Sequence, residues 1–512
     1  MNLPELQVFI DNKELDKLKS ILEVTKYGYF ISDSFSYAGV PGASSLNVNN
    51  FHIQDFRQYN TKQHDVFDTA KRRDKPINDD EGMPVDSVKV NRLGIPEQKK
   101  IVLLAASFLG VPELQSTPLP GIETDLLTTI EKVWEDNKYN YKFSDIVKTT
   151  MSERECAELW YTQPAEADYW EGTPMSGNKF KLRMRLLSAS RGDTLYPVYD
   201  EYGDMVAFGR YYETIEAVAN TGAIGATVYH LDIYTKDFFY YATKSTGEWS
   251  YGVGEDGMEV LTGVPNPLGK IPIIYYTQPA TEWHDVQEMI NRLEVKISNH
   301  ADTNDYFDSP IIFAEGTITG FAEKGETGKL LQGTAGAKVS YLTWDQAPES
   351  TKMEIDHLIN FIHTYTHTPN ISFDNIKGLG TFTGIALKMF FMDAHLKAAD
   401  NEAIYGLGVQ RSVNYQKATL AKLNAKFVPA LKLTIKPKFT FFLPKNEAEE
   451  IDNIIKCVNG GIMSIETAVK LNPLVEDHIT ELALIKKEKA EADAAAVNLA
   501  KQTKPVGVFA GN

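Results

Sequence analysis

The sequence is poor in the residues that build several familiar kinds of site. Only two cysteines occur, Cys156 and Cys457, far apart in the chain. They cannot make a zinc-finger set, and so few disulfide candidates suit a reducing compartment. Basic residues are in deficit: 52 Lys and Arg stand against 69 Asp and Glu, a formal net charge of −17. A protein that grips DNA ordinarily presents a basic face that displaces counterions from the phosphates. Tight, sequence-independent DNA binding is therefore a poor first reading, whereas contact without gripping stays open. Long apolar runs are missing too. The longest, Ile101 to Leu109, is about half of a membrane span, so no membrane partner is expected. The opening Met1-Asn-Leu-Pro-Glu-Leu has early acid and no basic-then-apolar order, which excludes a secretory signal as its reading.

What is present is globular in balance, with 512 residues, 43% hydrophobic and 24% charged; the length suits about two to four packing units. Residues 1–87 read as irregular, apart from helical patterning near Leu15–Val24. The basic Lys71-Arg72-Arg73 sits beside acidic Asp79-Asp80-Glu81, a self-cancelling surface arm rather than a nucleic-acid patch. From Asn91 to Trp160 the pattern is helical, with Ile101, Leu104, Phe108 and Val111 on one face and Leu126, Ile130 and Val133 on another. Residues 176–276 read as strands and turns, including a hairpin about Glu201–Asp204 and a second about Thr235-Lys-Asp.

Helices return after Tyr276. Val286, Ile290, Leu293 and Ile297 recur at four, three and four on a helix from about 282 to 306 that Pro310 closes. A short Gly-rich module follows at 311–344. A helix from Pro348 to about Thr364 carries Ile355, Leu358 or Ile359, and Ile362 on one side. Next, a long helix is expected from Gly384 to about Phe427. Its buried seam would be Ile385, Met389, Met392, Leu396, Ala399, Ala403 and Leu407, with a kink at Gly406 and Gly408. A strand over Leu433–Leu443 and a helical end over 446–501 complete the pattern.

Several fragments imitate catalytic motifs. Gly252-Val-Gly-Glu-Asp-Gly257 spells a dinucleotide fingerprint, yet strand and turn text follows where a helix is required. Gly325-Glu-Thr-Gly-Lys329 lacks the upstream glycine of a phosphate loop, and Leu330 stands where a magnesium-binding hydroxyl belongs; this removes an ATPase reading. His363 and His367 lie one helical turn apart, with His357 upstream, but Thr364 cannot serve as the general base of a zinc hydrolase. Arg191-Gly-Asp193 is a connecting turn. No carboxylate pair stands in an evident apolar setting that would separate two pKa values. The chain is expected to be no enzyme, with no catalytic residue, metal or cofactor.

The order of segments is more informative. A β-rich region ends on Asn266-Pro-Leu-Gly-Lys-Ile-Pro-Ile-Ile-Tyr-Tyr. Then come an amphipathic helix from Trp283, a Gly-rich insertion, a returning helix, a Gly-rich loop and Thr383-Gly-Ile-Ala-Leu-Lys opening a long helix. Gly460-Gly-Ile-Met-Ser-Ile-Glu-Thr-Ala-Val-Lys-Leu-Asn-Pro, with Ser464 as N-cap and Pro473 as helix stop, closes the series. Val88-Lys-Val-Asn-Arg-Leu-Gly-Ile-Pro leads into it. This order, over roughly 88–490, resembles the portal family of tailed bacteriophages, in the branch with long non-contractile tails. Thr281-Glu-Trp and Leu293-Glu-Val depart from the family's usual spelling, while Ser298 and the Gly-x-Ala-Leu-Lys core at 384–388 keep it.

The resemblance implies an α+β portal fold. Residues 1–87 would form an N-terminal arm or peripheral wing, 88–280 the wing, and 281–307 and 346–365 two stem helices. Between them 308–345 would form a small α/β clip. The tunnel loop would be 366–383, the long wing helix and strand 384–445, the helical crown 446–501 and the tail 502–512. It implies a ring of twelve copies at one capsid vertex, with double-stranded viral DNA in the channel. Partners would be the terminase large subunit, the head–tail adaptor, and the major capsid and scaffolding proteins. The expected location is the virion, and the host cytoplasm during assembly. Candidate channel residues on the tunnel loop are Phe373, Asn375, Lys377 and Phe382, with Gly378 and Gly380 as its hinge. Candidate clip contacts are Phe321, Lys324, Lys329, Tyr341 and Trp344. Stem packing falls to Val286, Ile290, Leu293, Ile297, Ile355, Ile359 and Ile362. An acidic wall would let DNA slide, since each lysine against a phosphate adds affinity and hence friction. The competing readings are another virion component, such as a minor head or tail-adaptor protein, and a phage hydrolase.

Overall fold

The structure, a computed structural model, describes residues 3–33, 48–79, 82–116, 122–217, 224–251, 263–308, 348–370, 389–440 and 447–502, with short pieces between 311 and 342. It is mixed α and β. Two compact units emerge: Met1–Asn370 with Asp393–Phe442, and Ile371–Met392 with Leu443–Asn512.

The first unit opens with α1 (Leu3–Asp11), α2 (Leu15–Asp33) and α3 (Val48–Tyr59), then the small hairpin β1 (Lys75–Asn78) and β2 (Pro84–Val88). Helix α4 (Glu97–Leu109), β3 (Pro112–Ser116), α5 (Ile122–Asn137) and α6 (Tyr139–Glu153) follow. A β-rich stretch holds β4 (Glu155–Pro164), β5 (Phe180–Leu187), β6 (Asp193–Tyr199), β7 (Met205–Ala217), β8 (Ile224–Thr235), β9 (Phe238–Lys244), β10 (Ser250–Tyr251), β11 (Val264–Pro265) and β12 (Ile273–Thr277). Then come α7 (Gln287–Asp308), short strands β13 (Ile311–Glu315), β14 (Ile318–Gly320), β15 (Gln332–Gly333) and β16 (Lys338–Leu342), α8 (Pro348–Tyr365), α9 (Met392–Leu423) and β17 (Ile435–Phe439).

Two sheets stack inside this unit. The smaller has the order β12-β4-β5 and the larger β10-β9-β8-β7-β6, with β11 also on β9. Strand alternation explains the layers. On β4, Cys156 and Trp160 face a helical core with Ile101, Ile130, Phe143, Ile290 and Val409. Ala157 and Leu159 face the other way, against Leu195, Phe208 and Tyr234 of the larger sheet. The far side of that sheet is covered by Leu6, Ile10, Leu15, Leu18 and Leu22 of α1 and α2, packed on Tyr196, Ala207, Leu231 and Ile233. The N-terminal text is thus not irregular at its start: two helices seal a sheet face. Both hairpin turns lie where expected, between β6 and β7 and between β8 and β9.

The long helix departs from its expected seam. Leu396 and Leu407 are 63% and 53% exposed, while Ala394, Ala398, Asn401, Tyr405, Gly408 and Ser412 are buried. The reason is close approach. A Cβ on Gly408 would lie 2.0 Å from the Tyr276 ring, so at that point the face admits only glycine, while Tyr405, Val409 and Val413 supply its apolar contacts. The helix runs unbroken through Gly406 and Gly408. Strand β17 is shorter than expected and pairs with β3.

In the second unit α10 (Glu447–Asn459), α11 (Ile465–Leu471) and α12 (His478–Gln502) succeed one another. Ser464 caps α11 by accepting from the Thr467 amide, and the helix stops at Leu471, before Asn472-Pro473. Gly461 takes φ +69° in the preceding turn.

Candidate functional site

The two expected stem helices pack on each other and on their own chain. On α7 and the turn before it, Val286, Ile290 and Leu293 are buried and Ile297 is half-buried; on α8, Ile362 is buried and Ile355 and Ile359 are half-buried. Arg292 and Lys296 of α7 both reach Glu354 of α8, at 2.8 and 2.6 Å. The far end of α8 packs near the His284–Val286 turn, so the helices run antiparallel. Lys397 of α9 joins the assembly, donating to Thr366 O at 2.7 Å and pairing with Glu282 at 2.6 Å. His363 lies between Thr368 Oγ1 (3.1 Å) and Lys100 Nζ (2.9 Å). Burial and the Lys100 charge push its pKa down to about 4. It is a neutral packing histidine, as its motif context predicts.

A strap holds α7 from outside. Glu294, Ser298 and Asp302, four residues apart, accept from the backbone amides of Ile95 (2.7 Å), Leu93 (2.9 Å) and Asn91 (2.7 Å). Four helical residues rise ~6 Å and two extended residues span ~6.6 Å, so the extended chain keeps step with the helix. His64 Nδ1 adds a 2.6 Å contact to Glu294, and Arg72 binds Asn299 and Asp302. The basic cluster at 71–73 is therefore no free arm. Arg72 is consumed by α7 and by Asn91 O, and Lys71 pairs with Asp65.

Among the described residues, one face of α8 stays bare. Met353, His357, Phe361 and Tyr365 recur every four residues; Met353, Phe361 and Tyr365 are 57%, 46% and 59% exposed. Ring centroids along it lie 6.1 Å and 6.0 Å apart. The Leu396-Ala399-Ala403-Leu407 face of α9 is exposed as well.

The tunnel-loop candidates Phe373, Asn375, Lys377, Gly378, Gly380 and Phe382 lie outside the described residues, as do Phe321, Lys324, Lys329 and Trp344 of the clip and both imitation glycine motifs, at 252–257 and 325–329. Tyr341 lies on β16, opposite Ile312 of β13. Arg191-Gly-Asp193 is structural, since Asp193 is buried against Arg210 at 2.7 Å.

Sequence reasoning missed the buried carboxylates. Glu158 of β4 accepts from Tyr139 (3.0 Å), Tyr276 (2.6 Å), Trp160 (2.8 Å) and Ser412 (2.7 Å) with no cation among them. Burial raises its pKa against the pull of those donors. Glu155, on the opposite face, holds Lys26 at 2.5 Å and Tyr275 at 2.6 Å. Both are fully partnered in dry surroundings and tie elements together rather than facing a cleft. A Glu-x-x-Glu inside a strand otherwise rich in Ala, Leu and Trp was the available signal. Among the described residues no group of three or more His, Cys, Asp or Glu is placed to hold a metal ion, and no helix is long and apolar enough to cross a membrane.

Comparison with known proteins bears on this arrangement. The family described as phage portal protein, SPP1 Gp6-like, matches residues 53–495. The portal protein of Bacillus phage SPP1 is 25% identical over 281 residues, covering 52% of this chain and 55% of that protein. The chain thus spans about half the length of the curated relative it matches.

Proposed function

Since the chain belongs to the phage portal proteins of the SPP1 Gp6-like family, as its segment order foretells, we propose that it forms a ring-shaped channel at one capsid vertex, through which double-stranded DNA enters and leaves. The observation that carries this reading is a pair of exposed, largely apolar faces, Met353-His357-Phe361-Tyr365 on α8 and Leu396-Ala399-Ala403-Leu407 on α9, that no other described residue covers. Contiguous apolar surface of this kind marks a contact site. Heterologous contacts that close on themselves give a ring, in which each copy covers the next. In that ring α7 and α8 are the stem, 308–345 the clip, 366–383 the tunnel loop and 446–501 the crown; the family resemblance supports twelve copies. The clip docks the terminase motor during filling and the head–tail adaptor afterwards, and the wing meets capsid and scaffolding proteins.

The net charge of −17 supports a wall that repels phosphates weakly over a Debye length of ~8–10 Å and lets DNA slide. The work is passage and docking, not catalysis. Negative-stain imaging and mass photometry of the purified chain test the reading. Rings with a central hole are expected, and Phe361→Glu combined with Leu396→Glu should disperse them into monomers. A compact monomer from the unaltered chain refutes the ring.

A further inference from the structure

A second surface of the first unit is built to bind, away from the stem. Two cavities adjoin and share Tyr415 of α9. The first, of about 500 Å³, is walled chiefly by Leu159, Phe180, Tyr234, Phe239, Tyr241 and Leu268. The second, of about 420 Å³, is edged by Lys236, Lys270 and Arg411. These three cations come from separate elements: the β8–β9 turn, the loop before β12, and α9. All three are exposed, and among the described residues none of them makes an ion pair.

The loops that carry the lysines are held in place. Asn266 donates to Thr235 O (3.1 Å) on one side and to Lys270 O (2.8 Å) on the other, and its amide donates to Asp237 O at 2.8 Å. Thr235 Oγ1 accepts from the Phe238 amide and tightens the same turn. Asn266 itself borders the apolar cavity. One side chain therefore fixes the spacing of both basic loops against the aromatic wall. The positive field is felt inside the fold: burial lowers the pKa of Lys417, and the Lys270 charge lowers it further.

From this geometry we infer that the twin groove docks an extended acidic peptide of a partner protein, with an apolar side chain seated on the aromatic wall and neighbouring carboxylates on Lys236, Lys270 and Arg411. Charge complementarity selects the ligand's sign, and a pocket beside a charged patch is the usual form of short-peptide recognition. Duplex DNA fits less well. It has no side group to enter the apolar cavity.

The test uses the full chain and a fluorescein-labelled peptide, acetyl-Asp-Glu-Phe-Glu-Asp-Asp, followed by fluorescence anisotropy. Saturable binding that weakens with salt is expected. Lys270→Glu with Arg411→Glu, both at exposed positions, should weaken it at least tenfold and leave the melting temperature unchanged. Replacing the peptide's Phe by Ala should weaken it about threefold to tenfold. No saturable binding, or equal binding by the double variant, overturns the inference. Displacement of the peptide by an equimolar DNA duplex overturns it in favour of a nucleic-acid site. Binding confined to a monomeric fraction overturns it in favour of a groove filled by a second copy of this chain.

Discussion

Replacing Glu158 measures how far the fold depends on one buried carboxylate. Its four donors arrive from α6, β4, β12 and α9. In Glu158→Ala the indole of Trp160 keeps Ser412 Oγ at 3.0 Å, and the two tyrosine hydroxyls can turn toward each other. About two donors are then stranded, and at ~1–3 kcal/mol for each buried unsatisfied group the loss is ~2–6 kcal/mol before any cavity is counted. At ~2.1 cal/mol/K of unfolding entropy per residue, a unit of this size loses about 1 °C of midpoint per kcal/mol, so differential scanning fluorimetry should show a drop of roughly 2–6 °C. Glu158→Gln keeps the shape and one acceptor oxygen, and its amide nitrogen can donate to the tyrosine hydroxyls; it should cost only ~1–2 kcal/mol.

The pH dependence has a definite sign. Because burial raises the folded pKa of Glu158, its contribution is full below the ordinary carboxylate value of ~4.3 and is lost as pH rises through the folded value. The advantage of the unaltered chain over Glu158→Gln should therefore be widest in mild acid and shrink toward neutrality. A Glu158→Leu variant as stable as the unaltered chain would refute the reasoning, since it would show that the four donors need no acceptor.

Other substitutions probe neighbouring features. Gly408→Ala forces a methyl to within 2.0 Å of Tyr276 and should destabilise by ~2–3 kcal/mol or more. Gly406→Ala, whose Cβ would sit 3.5 Å from Phe439, should be neutral or stabilise by up to ~1 kcal/mol; the two midpoints compared in one melt check the pair. Ser298→Ala removes the acceptor for the Leu93 amide, so hydrogen exchange at residues 91–95 should quicken while that of the β4 core stays unchanged. His363, with its pKa near 4, should show no imidazole titration between pH 5 and 8 by NMR. Its stabilising contribution is present above the free value of ~6.5 and is lost as acid brings the pH down through 4, a loss that His363→Gln should not share.

Local chemistry was legible in the sequence. The Ser464 cap, the Asn472-Pro473 stop and the β6–β7 turn each depend on residues within about four positions of one another. The stripes of α7 and α8 were equally plain, because both helices bury ordinary aliphatic residues. Helix α9 misled for the opposite reason. Its expected apolar seam, Leu396 and Leu407, faces outward, and its inward side mixes Tyr405, Val409 and Val413 with Ala398, Asn401, Gly408 and Ser412, the last four set by how near Tyr276 and Glu158 lie. Such proximity is a tertiary fact with no periodic signature. The Glu158 cluster and the twin groove escaped on the same ground, as each assembles residues from distant segments, Lys236 with Arg411 or Tyr139 with Ser412.

The strap on α7 has a consequence for how this chain can change over time. Glu294, Ser298 and Asp302 engage backbone amides of Ile95, Leu93 and Asn91, so these three contacts ask little of the side chains at 91, 93 and 95, whereas Gly94, where a Cβ would lie 2.6 Å from the Phe67 ring, and the length of the stretch are constrained. Removing a single residue there would turn the amides on one side of the deletion away from the helix and unhook their contacts, like a ratchet losing its pitch. Insertions in the exposed β1–β2 hairpin just upstream would leave the gearing untouched.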